Sequence, residues 1–329
     1  MQGVYPSLRD QRFRNAGGSG RENGKDMDNI PRIIDTVRLP AAIPIHAYLR
    51  DHHVEGRAVL PAVKAMQIIG DTVKRLRPDT RISVMTHTRF DKFLHVPSGT
   101  DQIAAFADID TYDNGDIGAR LLTKNRFKKS SMIRIKEHAS VYYPVDQAGF
   151  ADPPPEQDSG LFSALDGNCI EISSERIYRD LVPFGPAFHS IQGNLFISGQ
   201  GVIARIGTPA AYVGQSDSES LGSPFPLDAA YHGACVWGQR YARMVAFPVG
   251  FEKRTIWRHT RPGDTYFCRI LPVETHPDLL VFDLWIADEN GVFFESSRGV
   301  RMKDVSAGRM KPPLWIQKAG NQEVEKIRS

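Results

Sequence analysis

The chain of 329 residues has only three cysteines, and they are far apart. Cys169, Cys235 and Cys268 form no CxxC pair and are odd in number, which argues against a disulfide framework or a cysteine-based zinc cluster. No apolar run approaches the roughly 20 residues that a bilayer span requires. No apolar core follows the early arginines, as it would in a signal peptide. We therefore expect a cytoplasmic protein without a membrane segment.

Neither sign of charge is in large excess. The formal net charge is +3, which is too small to indicate a nucleic-acid partner. Hydrophobic residues make up 41% and charged residues 24% of the sequence, as in an ordinary globular protein. A chain of this length can bury the core of one large domain or of two smaller ones.

Composition shifts along the chain predict five segments. Residues 1–28 are rich in Gly, Arg, Asn and Ser and are expected to be a mobile leader. Successive prolines mark residues 146–168 as a linker, because proline removes N–H donors and favours extended backbone. The linker separates two similar halves, residues 29–145 and 169–306, and a basic tail covers residues 307–329.

The first half contains a histidine just before a predicted helix. His52 precedes a turn at Gly56, and Pro61 stands where proline is preorganised to start a helix. Apolar residues then recur at helical spacing, at Ala62, Met66, Ile69, Val73 and Leu76. This arrangement places an imidazole near free N–H groups at a helix N-terminus, which can hold a developing oxyanion.

The second half contains an acid in an apolar helix. Residues 227–237 are apolar nearly all round, as in a helix buried on every side. The exceptions, Asp228 and His232, are four residues apart and share a face. We expect the apolar surroundings to keep Asp228 protonated and His232 to orient its carboxyl group. A plain capping role for Asp228 near the helix start is the alternative.

Alternating residues and turns predict an antiparallel sheet around these helices, an α+β order. Strands are expected at residues 43–49, 103–109, 133–136, 195–206, 266–270, 280–287 and 292–295. Asn114-Gly115 and Asn290-Gly291 predict hairpin turns. The two turns are 176 residues apart, as are His52 and Asp228, which suggests that these two residues occupy equivalent places in duplicated units.

A neutral histidine and a protonated acid across a buried cleft can remove a proton from one carbon and protonate a hydroxyl leaving the next. The rival hypothesis uses His52, His232 and Asp228 as a facial triad for iron or as a zinc site. No HExxH or paired-cysteine spacing supports it, so we expect no metal and no cofactor.

Four short segments in order resemble the motifs of polyketide synthase dehydratase domains over roughly residues 35–305. Asp51-His52-x-Val54-x-Gly56-x-x-x-x-Pro61 resembles HxxxGxxxxP, and Asp228-x-x-x-His232 resembles DxxxQ/H. Phe184-Gly185-Pro186-Ala187-Phe188 looks like YGPxF, and Phe247-Pro248-Val249-Gly250-Phe251 is similar to an LPFxW-type segment.

The resemblance implies a double hot-dog fold, in which two units, each a helix wrapped by antiparallel sheet, form a pseudo-dimer with one active site. It implies dehydration of a 3-hydroxyacyl thioester on acyl carrier protein to a 2-enoyl thioester, with His52 as base and Asp228 as acid. His232, Gly56 and Pro61 would then be supporting residues. Substrate contacts would come from Phe184, Gly185, Pro186, Phe188 and Phe251.

The sequence departs from the family at Phe184, where tyrosine is usual, so a hydroxyl contact is lost there. It carries no ketosynthase, reductase or carrier motifs, which predicts a free-standing enzyme or a piece of a larger one. Hot-dog proteins often pair, so a homodimer is possible. The alternatives are a product-template-like cyclase, marked by a deep, wide pocket, and a non-catalytic scaffold that binds acyl chains or carrier proteins.

Overall fold

The computed structural model describes residues 31–126, 133–156, 160–162, 165–209 and 220–318. The predicted leader, residues 1–28, lies outside the described residues, as does the end of the predicted tail, residues 319–329. From Ile33 onward the described chain forms one compact unit.

The secondary structure is mostly strand. The strands are β1 Ile33–Pro44, β2 His53–Val54, β3 Arg57–Ala58, β4 Val84–Phe90, β5 Gln102–Tyr112, β6 Ile117–Arg126, β7 Ile133–Tyr143, β8 Ile170–Ser173, β9 Ile191–Ser198, β10 Gly201–Gly207, β11 Phe247–Ile256, β12 Thr265–Thr275, β13 Leu280–Ala287 and β14 Phe293–Lys303. The helices are α1 Ala62–Leu76, α2 Gln147–Phe150, α3 Ser174–Arg176, α4 Phe225–Trp237 and α5 Leu314–Lys318. Short 3-10 turns cover Ala47–Asp51 and Pro186–Phe188, and π turns cover Ile177–Leu181 and Gly238–Ala242.

Twelve strands form one sheet in the order β1-β5-β6-β7-β4-β11-β14-β13-β12-β10-β9-β8. Neighbouring strands are antiparallel throughout. The pairing of β4 with β11 joins five strands of the first half to seven of the second. Strands β2 and β3 form a separate hairpin beside the sheet.

Helix α1 is amphipathic and buries one face. The sequence placed Pro61 at the first helical position. The helix instead starts at Ala62, and Pro61 is the N-cap residue just before it, with a φ of −59°. Val63, Met66, Ile69 and Val73 are buried at three- and four-residue steps. They pack α1 against β1, β5, β6 and β7.

Helix α4 is buried over its whole length, which confirms the prediction from its apolar composition. It packs against strands β9 to β13 and contacts α1. Gly233 allows a close approach, because a Cβ there would lie 2.7 Å from Ile270 Cδ1. Helices α1 and α4 contact each other, and each is covered by its own part of the sheet.

The structure corrects the predicted equivalence of His52 and Asp228. Helix α1 starts at residue 62 and α4 at residue 225, an offset of 163, so Asp228 corresponds to Ala65 (228 − 163 = 65). The two Asn-Gly turns are not equivalent either, because the first joins β5 to β6 and the second joins β13 to β14. The offset of 176 was a coincidence of loop lengths.

The first predicted strand, at residues 43–49, is also misplaced. Strand β1 ends at Pro44, and residues 47–51 form a 3-10 turn. Alternation in β1 starts earlier, with Ala41 and Ile43 buried between exposed neighbours. Tyr48 and Leu49 are buried from the turn instead, where burial does not require strand geometry.

The described part of the predicted linker is not uniformly extended. Residues 147–150 form α2, capped by the side chain of Asp146. Asp152 accepts hydrogen bonds from Lys253 Nζ at 2.6 Å and, at its backbone carbonyl, from Trp257 Nε1 at 2.9 Å. This stretch is therefore tied to β11 and the residue that follows it, and the division of the chain at residues 146–168 stays a prediction.

Candidate active site

A cavity of about 400 Å³ lies between elements of both halves. Its lining includes His52 from the segment before α1, and Asp228 and His232 from α4. Phe184, from the segment before the 3-10 turn at Pro186–Phe188, lines it too. Four residues predicted from separate parts of the sequence therefore line one cavity.

The tautomer of His52 is fixed by the backbone. His52 Nδ1 lies 3.0 Å from the carbonyl oxygen of Val59. A carbonyl can only accept a hydrogen bond, so Nδ1 carries the proton and donates it. Nε2 of the neutral ring is left with its lone pair, which is the form that a general base requires.

Burial keeps His52 neutral. Its side chain lies against the rings of Phe184 and Phe188, with ring centres 4.3 and 5.1 Å away. Desolvation lowers the pKa of His52 to about 4, although the nearby charge of Asp228 opposes the shift. At neutral pH the ring therefore carries no charge.

The acid and its neighbour form a close pair on α4. His232 Nε2 lies 3.0 Å from Asp228 Oδ2, and both side chains are only 5% exposed. Among the described residues, neither atom has a well-aligned hydrogen-bond partner, so the N–H points partly away from the oxygen. Two buried polar atoms at the cavity are thus left with capacity to bind a ligand group.

The expectation that burial keeps Asp228 protonated is wrong for the free protein. Desolvation does raise the pKa of Asp228, but the contact with His232 and the proximity of His52 outweigh it. The net effect is a pKa below the ordinary value of 3.8. Asp228 is therefore a carboxylate at neutral pH.

Phe184 limits the distance between the two halves of the site. Its ring centre lies 4.3 Å from that of His52 and 5.1 Å from that of His232. The two histidine ring centres can therefore be no farther apart than the sum, 9.4 Å. One small substrate can reach the imidazole of His52 and the pair on α4 together.

The loop that carries Phe184 is held directly against the segment of His52. Gly185 N–H donates to the backbone carbonyl of Asp51 at 2.8 Å, and Ala187 N–H donates to the Asp51 side chain at 3.0 Å. A Cβ at Gly185 would lie 2.4 Å from Asp51 Cγ, so only glycine allows this approach. Gly185 and Pro186 are thus placed beside the site and are not among the described residues that line the cavity.

The other predicted site residues lie farther from the cavity. Gly56 has a φ of +72° and, with Glu55 at +49°, forms the exposed two-residue turn between β2 and β3. Pro61 and Phe188 line a much smaller void next to Asp228. Phe251 is fully buried in β11, with its ring 6.2 Å from that of Phe90.

The first turn of α1 also reaches the cavity, which Ala62 and Ala65 line. The first N–H groups of a helix have no partner inside it and carry the positive end of the dipole. A ligand oxygen could be held there, next to His52.

Several lining residues were not singled out by the sequence analysis. Lys92, His95 and Lys136 line the cavity, and the first two are exposed, so they mark its opening. Tyr231 and Cys235 line its buried part from α4. Tyr231 follows Asp228 by three residues and Cys235 follows His232 by three, a spacing that could have identified both. Lys92, two residues after β4, and Lys136, on β7, reach the opening through tertiary contact.

The described residues contain no group of three or more His, Cys, Asp or Glu arranged to hold a metal ion. None of the helices in the described ranges is long and apolar enough to cross a membrane.

Comparison with known proteins gave a family match and structural matches. Residues 170–312 match the family described as polyketide synthase dehydratase N-terminal domain. A search of curated proteins gave no match.

Three solved structures illustrate the likeness in fold. A trans-AT polyketide synthase dehydratase domain from Brevibacillus brevis is 17% identical, with a TM-score of 0.65, and the match covers 82% of this chain and 94% of that one. The dehydratase domain from the CurK module of curacin polyketide synthase is 19% identical, with a TM-score of 0.64 and coverage of 85% and 96%. A bifunctional dehydratase-cyclase domain in ambruticin biosynthesis is 16% identical, with a TM-score of 0.59 and coverage of 82% and 92%.

These likenesses confirm the double hot-dog fold, with α1 and α4 as the two wrapped helices. Residues 170–312 match the profile of the polyketide synthase dehydratase family, and the described chain shares the fold of solved polyketide synthase dehydratase domains.

Proposed function

We propose that this protein removes water from a 3-hydroxyacyl thioester on an acyl carrier protein and gives a 2-enoyl thioester. The observation that carries the proposal is the pairing, in one cavity, of a neutral histidine from the first half with a carboxyl group from the second. Two relatives of similar fold support it: one was solved as an inactive mutant with histidine replaced by phenylalanine, and another as an inactive mutant with aspartate replaced by asparagine.

His52 is the proposed base. Its Nε2 lone pair takes the proton from the carbon next to the thioester carbonyl, and the hydrogen bond to Val59 holds the ring for this task. Negative charge then develops on the carbonyl oxygen. We place that oxygen at the start of α1, where Ala62 and Ala65 line the cavity.

Asp228 is the proposed acid, and it must gain a proton before it can act. An acyl chain that fills the cavity expels water, and desolvation raises the pKa of a carboxyl group. We therefore expect Asp228 to become protonated as substrate binds, and to pass this proton to the hydroxyl that leaves. His232, 3.0 Å away, orients the carboxyl group.

The opening of the cavity suits a carrier-linked substrate. Lys92, His95 and Lys136 are grouped there, and Lys92 is close enough to Lys136 to lower its pKa, after the larger effect of desolvation. Asp91 lies at the same opening but pairs with Arg89 at 2.7 Å. This leaves two lysines to face the phosphodiester of a phosphopantetheine arm.

The cavity volume favours a dehydratase over a cyclase. About 400 Å³ is near the lower end of the roughly 300–1,000 Å³ typical of small-molecule sites, which suits a short acyl chain better than a long poly-keto chain. The scaffold hypothesis required that His52 and Asp228 be too far apart to reach one substrate. The ring centre of Phe184 lies 4.3 Å from that of His52 and 5.1 Å from that of His232, the neighbour of Asp228, which argues against that separation.

Homodimer formation and a cytoplasmic location remain proposals, the latter on the grounds of three unpaired cysteine thiols.

The direct test is turnover of a 3-hydroxybutyryl thioester, followed by mass spectrometry as loss of water. We expect His52→Ala and Asp228→Asn to lower kcat by at least about a thousandfold while the circular dichroism spectrum is unchanged. His53→Gln is the matched control, because His53 is the neighbouring histidine and is not among the described residues of the lining. Full activity in either site variant contradicts the proposal.

A further inference from the structure

Asp51, the residue before His52, joins the segment of the proposed base to the Phe184 loop, residues 184–189. It is half-buried, at the end of a 3-10 turn. Its backbone carbonyl accepts from Gly185 N–H at 2.8 Å, and its side-chain Oδ2 accepts from Ala187 N–H at 3.0 Å. One residue therefore ties the loop to the base segment through both its backbone and its side chain.

The side-chain contact satisfies a donor that the loop cannot satisfy by itself. Ala187 lies near the start of a 3-10 turn, where the first N–H groups have no partner within the turn. Pro186 has no N–H, and Phe188 donates to the carbonyl of Gly185 at 3.0 Å. The N–H of fully buried Ala187 is accepted by the carboxyl group of Asp51. Loss of this carboxyl group would leave a buried donor without an acceptor, which is unfavourable.

The Phe184 loop covers the imidazole of His52 with two aromatic rings. The ring centre of Phe184 lies 4.3 Å from that of His52, and the ring centre of Phe188 lies 5.1 Å from it. Both phenylalanines are buried, and they flank the residues that Asp51 holds. Because desolvation by burial is the largest cause of the lowered pKa of His52, the position of this loop controls the hydration of the base.

The other side of the loop is held by the second half of the chain. His189 Nε2 donates to the backbone carbonyl of Phe184 at 2.9 Å, and its ring stacks on that of Tyr178 with ring centres 4.2 Å apart. The hydroxyl oxygen of Tyr178 lies 3.3 Å from His232 Nδ1. These contacts link the loop to the pair on α4, whereas Asp51 links it to the first half.

We propose that Asp51 is a positioning residue, whose hydrogen bonds hold the Phe184 loop against His52 so that both phenylalanine rings exclude water from the imidazole. The inference rests on the proposed function, because it concerns the group that acts as the base. Asp51 is not among the described residues that line the cavity, so it acts through the loop and does not touch substrate.

Ionisable groups on α4 and β2 also face His52. The carboxylate of Asp228 raises the pKa of His52, whereas His232 and His53 lower it. The carbonyl of Val59 raises it as well, because it accepts from Nδ1. None of these groups is removed when the contact between the loop and the base segment is removed. A change in the titration of His52 therefore reports the position of the loop.

The first test is a titration of His52 by NMR of the full chain with ¹⁵N-labelled histidine, in which His52→Gln assigns the signals by removing them. In Asp51→Ala the loop loses its acceptor and water reaches the ring, so the pKa of His52 should rise by about one unit from about 4. Asp51→Asn is the matched control, because it removes the charge and keeps an oxygen acceptor. Its titration should stay within about 0.3 units of the parent.

The sign of the change separates positioning from charge. If Asp51 acted on His52 through its negative charge alone, it would favour the imidazolium, and its removal would lower the pKa in the alanine and asparagine variants alike. A lowered or unchanged pKa in Asp51→Ala therefore overturns the proposal.

Gly185→Ala tests the same contact from the loop, and it decides the matter if Asp51→Ala does not fold. Its Cβ would lie 2.4 Å from Asp51 Cγ, so it pushes the loop away while the carboxyl group stays in place. The pKa of His52 should rise in this variant too. An unchanged titration of His52 in folded Gly185→Ala counts against the proposal.

The second test is the pH profile of turnover of a 3-hydroxybutyryl thioester. At pH 7, kcat/KM should fall about tenfold in Asp51→Ala and less than about twofold in Asp51→Asn. The acid limb of the profile should move up only in Asp51→Ala, together with the pKa of His52. A loss of turnover with an unmoved acid limb would mean that Asp51 only supports the fold, which refutes the positioning role.

The two tests separate this inference from the proposed function. A titration of His52 that moves in Asp51→Ala, in a protein that dehydrates no thioester, refutes the function and leaves the positioning role of Asp51 intact. A titration that does not move refutes the inference even if the enzyme is active.

Discussion

Acidification should destabilise this protein through His52. The ring is buried and neutral when folded, with a pKa of about 4, whereas an unfolded histidine has a pKa near 6.5. As pH falls, the unfolded chain therefore binds a proton before the folded one does. The stability is complete above about pH 6.5 and is lost as pH falls toward about 4.

The magnitude follows from the two pKa values. They differ by about 2.5 units, and each unit corresponds to about 1.4 kcal/mol, so the loss is about 3 kcal/mol at pH 4. That is a large part of the roughly 5–15 kcal/mol by which a domain is stable. Asp228 does not obscure the effect, because its lowered pKa places its own loss below pH 3.8.

The assay is urea unfolding at several pH values between 7 and 4, for the parent and for His52→Gln. Glutamine can still donate to the Val59 carbonyl but does not titrate. The variant should lack about 3 kcal/mol of the pH-dependent loss. Burial also lowers the pKa of His95 and His138, but these residues contribute equally to both proteins. Parallel curves for parent and variant would show that His52 is not held neutral by burial.

Three further predictions follow from the site. The value of kcat/KM should rise as pH falls from 8 toward 5, because Asp228 must gain a proton. It should fall again near pH 4, where His52 gains one and can no longer act as the base. A profile that is flat across this range contradicts the assignment. Replacing Lys92 and Lys136 by alanine should raise KM roughly fivefold for a phosphopantetheine thioester and leave KM unchanged for an N-acetylcysteamine thioester, which lacks the phosphate. Gly185→Ala should lower the free energy of unfolding by about 1–3 kcal/mol, because its Cβ would meet Asp51 at 2.4 Å; unchanged urea unfolding would show that the loop relaxes freely.

The sequence predicted the two long helices, because their apolar residues indicate which faces are buried. Helix α4 has apolar residues on every side, and the structure buries all of it. Helix α1 shows its stripe at helical spacing and starts within one residue of the expected position. The predicted strand at residues 43–49 is wrong, because Tyr48 and Leu49 are buried from a 3-10 turn. Alternation over so few residues does not distinguish a strand from such a turn.

The sequence predicted residues that meet in one cavity, but it did not predict the charge of Asp228. His52 and Asp228 stand in recognisable motifs, and the cavity brings them together. The charge state of Asp228 depends on the 3.0 Å contact with His232, and therefore on the side-chain conformations of both residues. The contact of Tyr178 with His232 joins positions 54 residues apart, and no periodicity in the sequence connects them.

The duplicated fold explains why the two halves contribute different chemistry to one site. By the start of each helix, Asp228 on α4 corresponds to Ala65 on α1, and both residues line the cavity. A second carboxylate at position 65 would face Asp228 and raise its pKa through repulsion between like charges. Alanine avoids that, so the pKa of Asp228 is set by burial, which raises it, and by His232 and His52, which lower it. In the proposed reaction, α1 offers its free N–H groups to the thioester oxygen. Elimination needs a base, an acid and an anion site at separate points, and an asymmetric pair of helices supplies them where two identical ones would duplicate a single group.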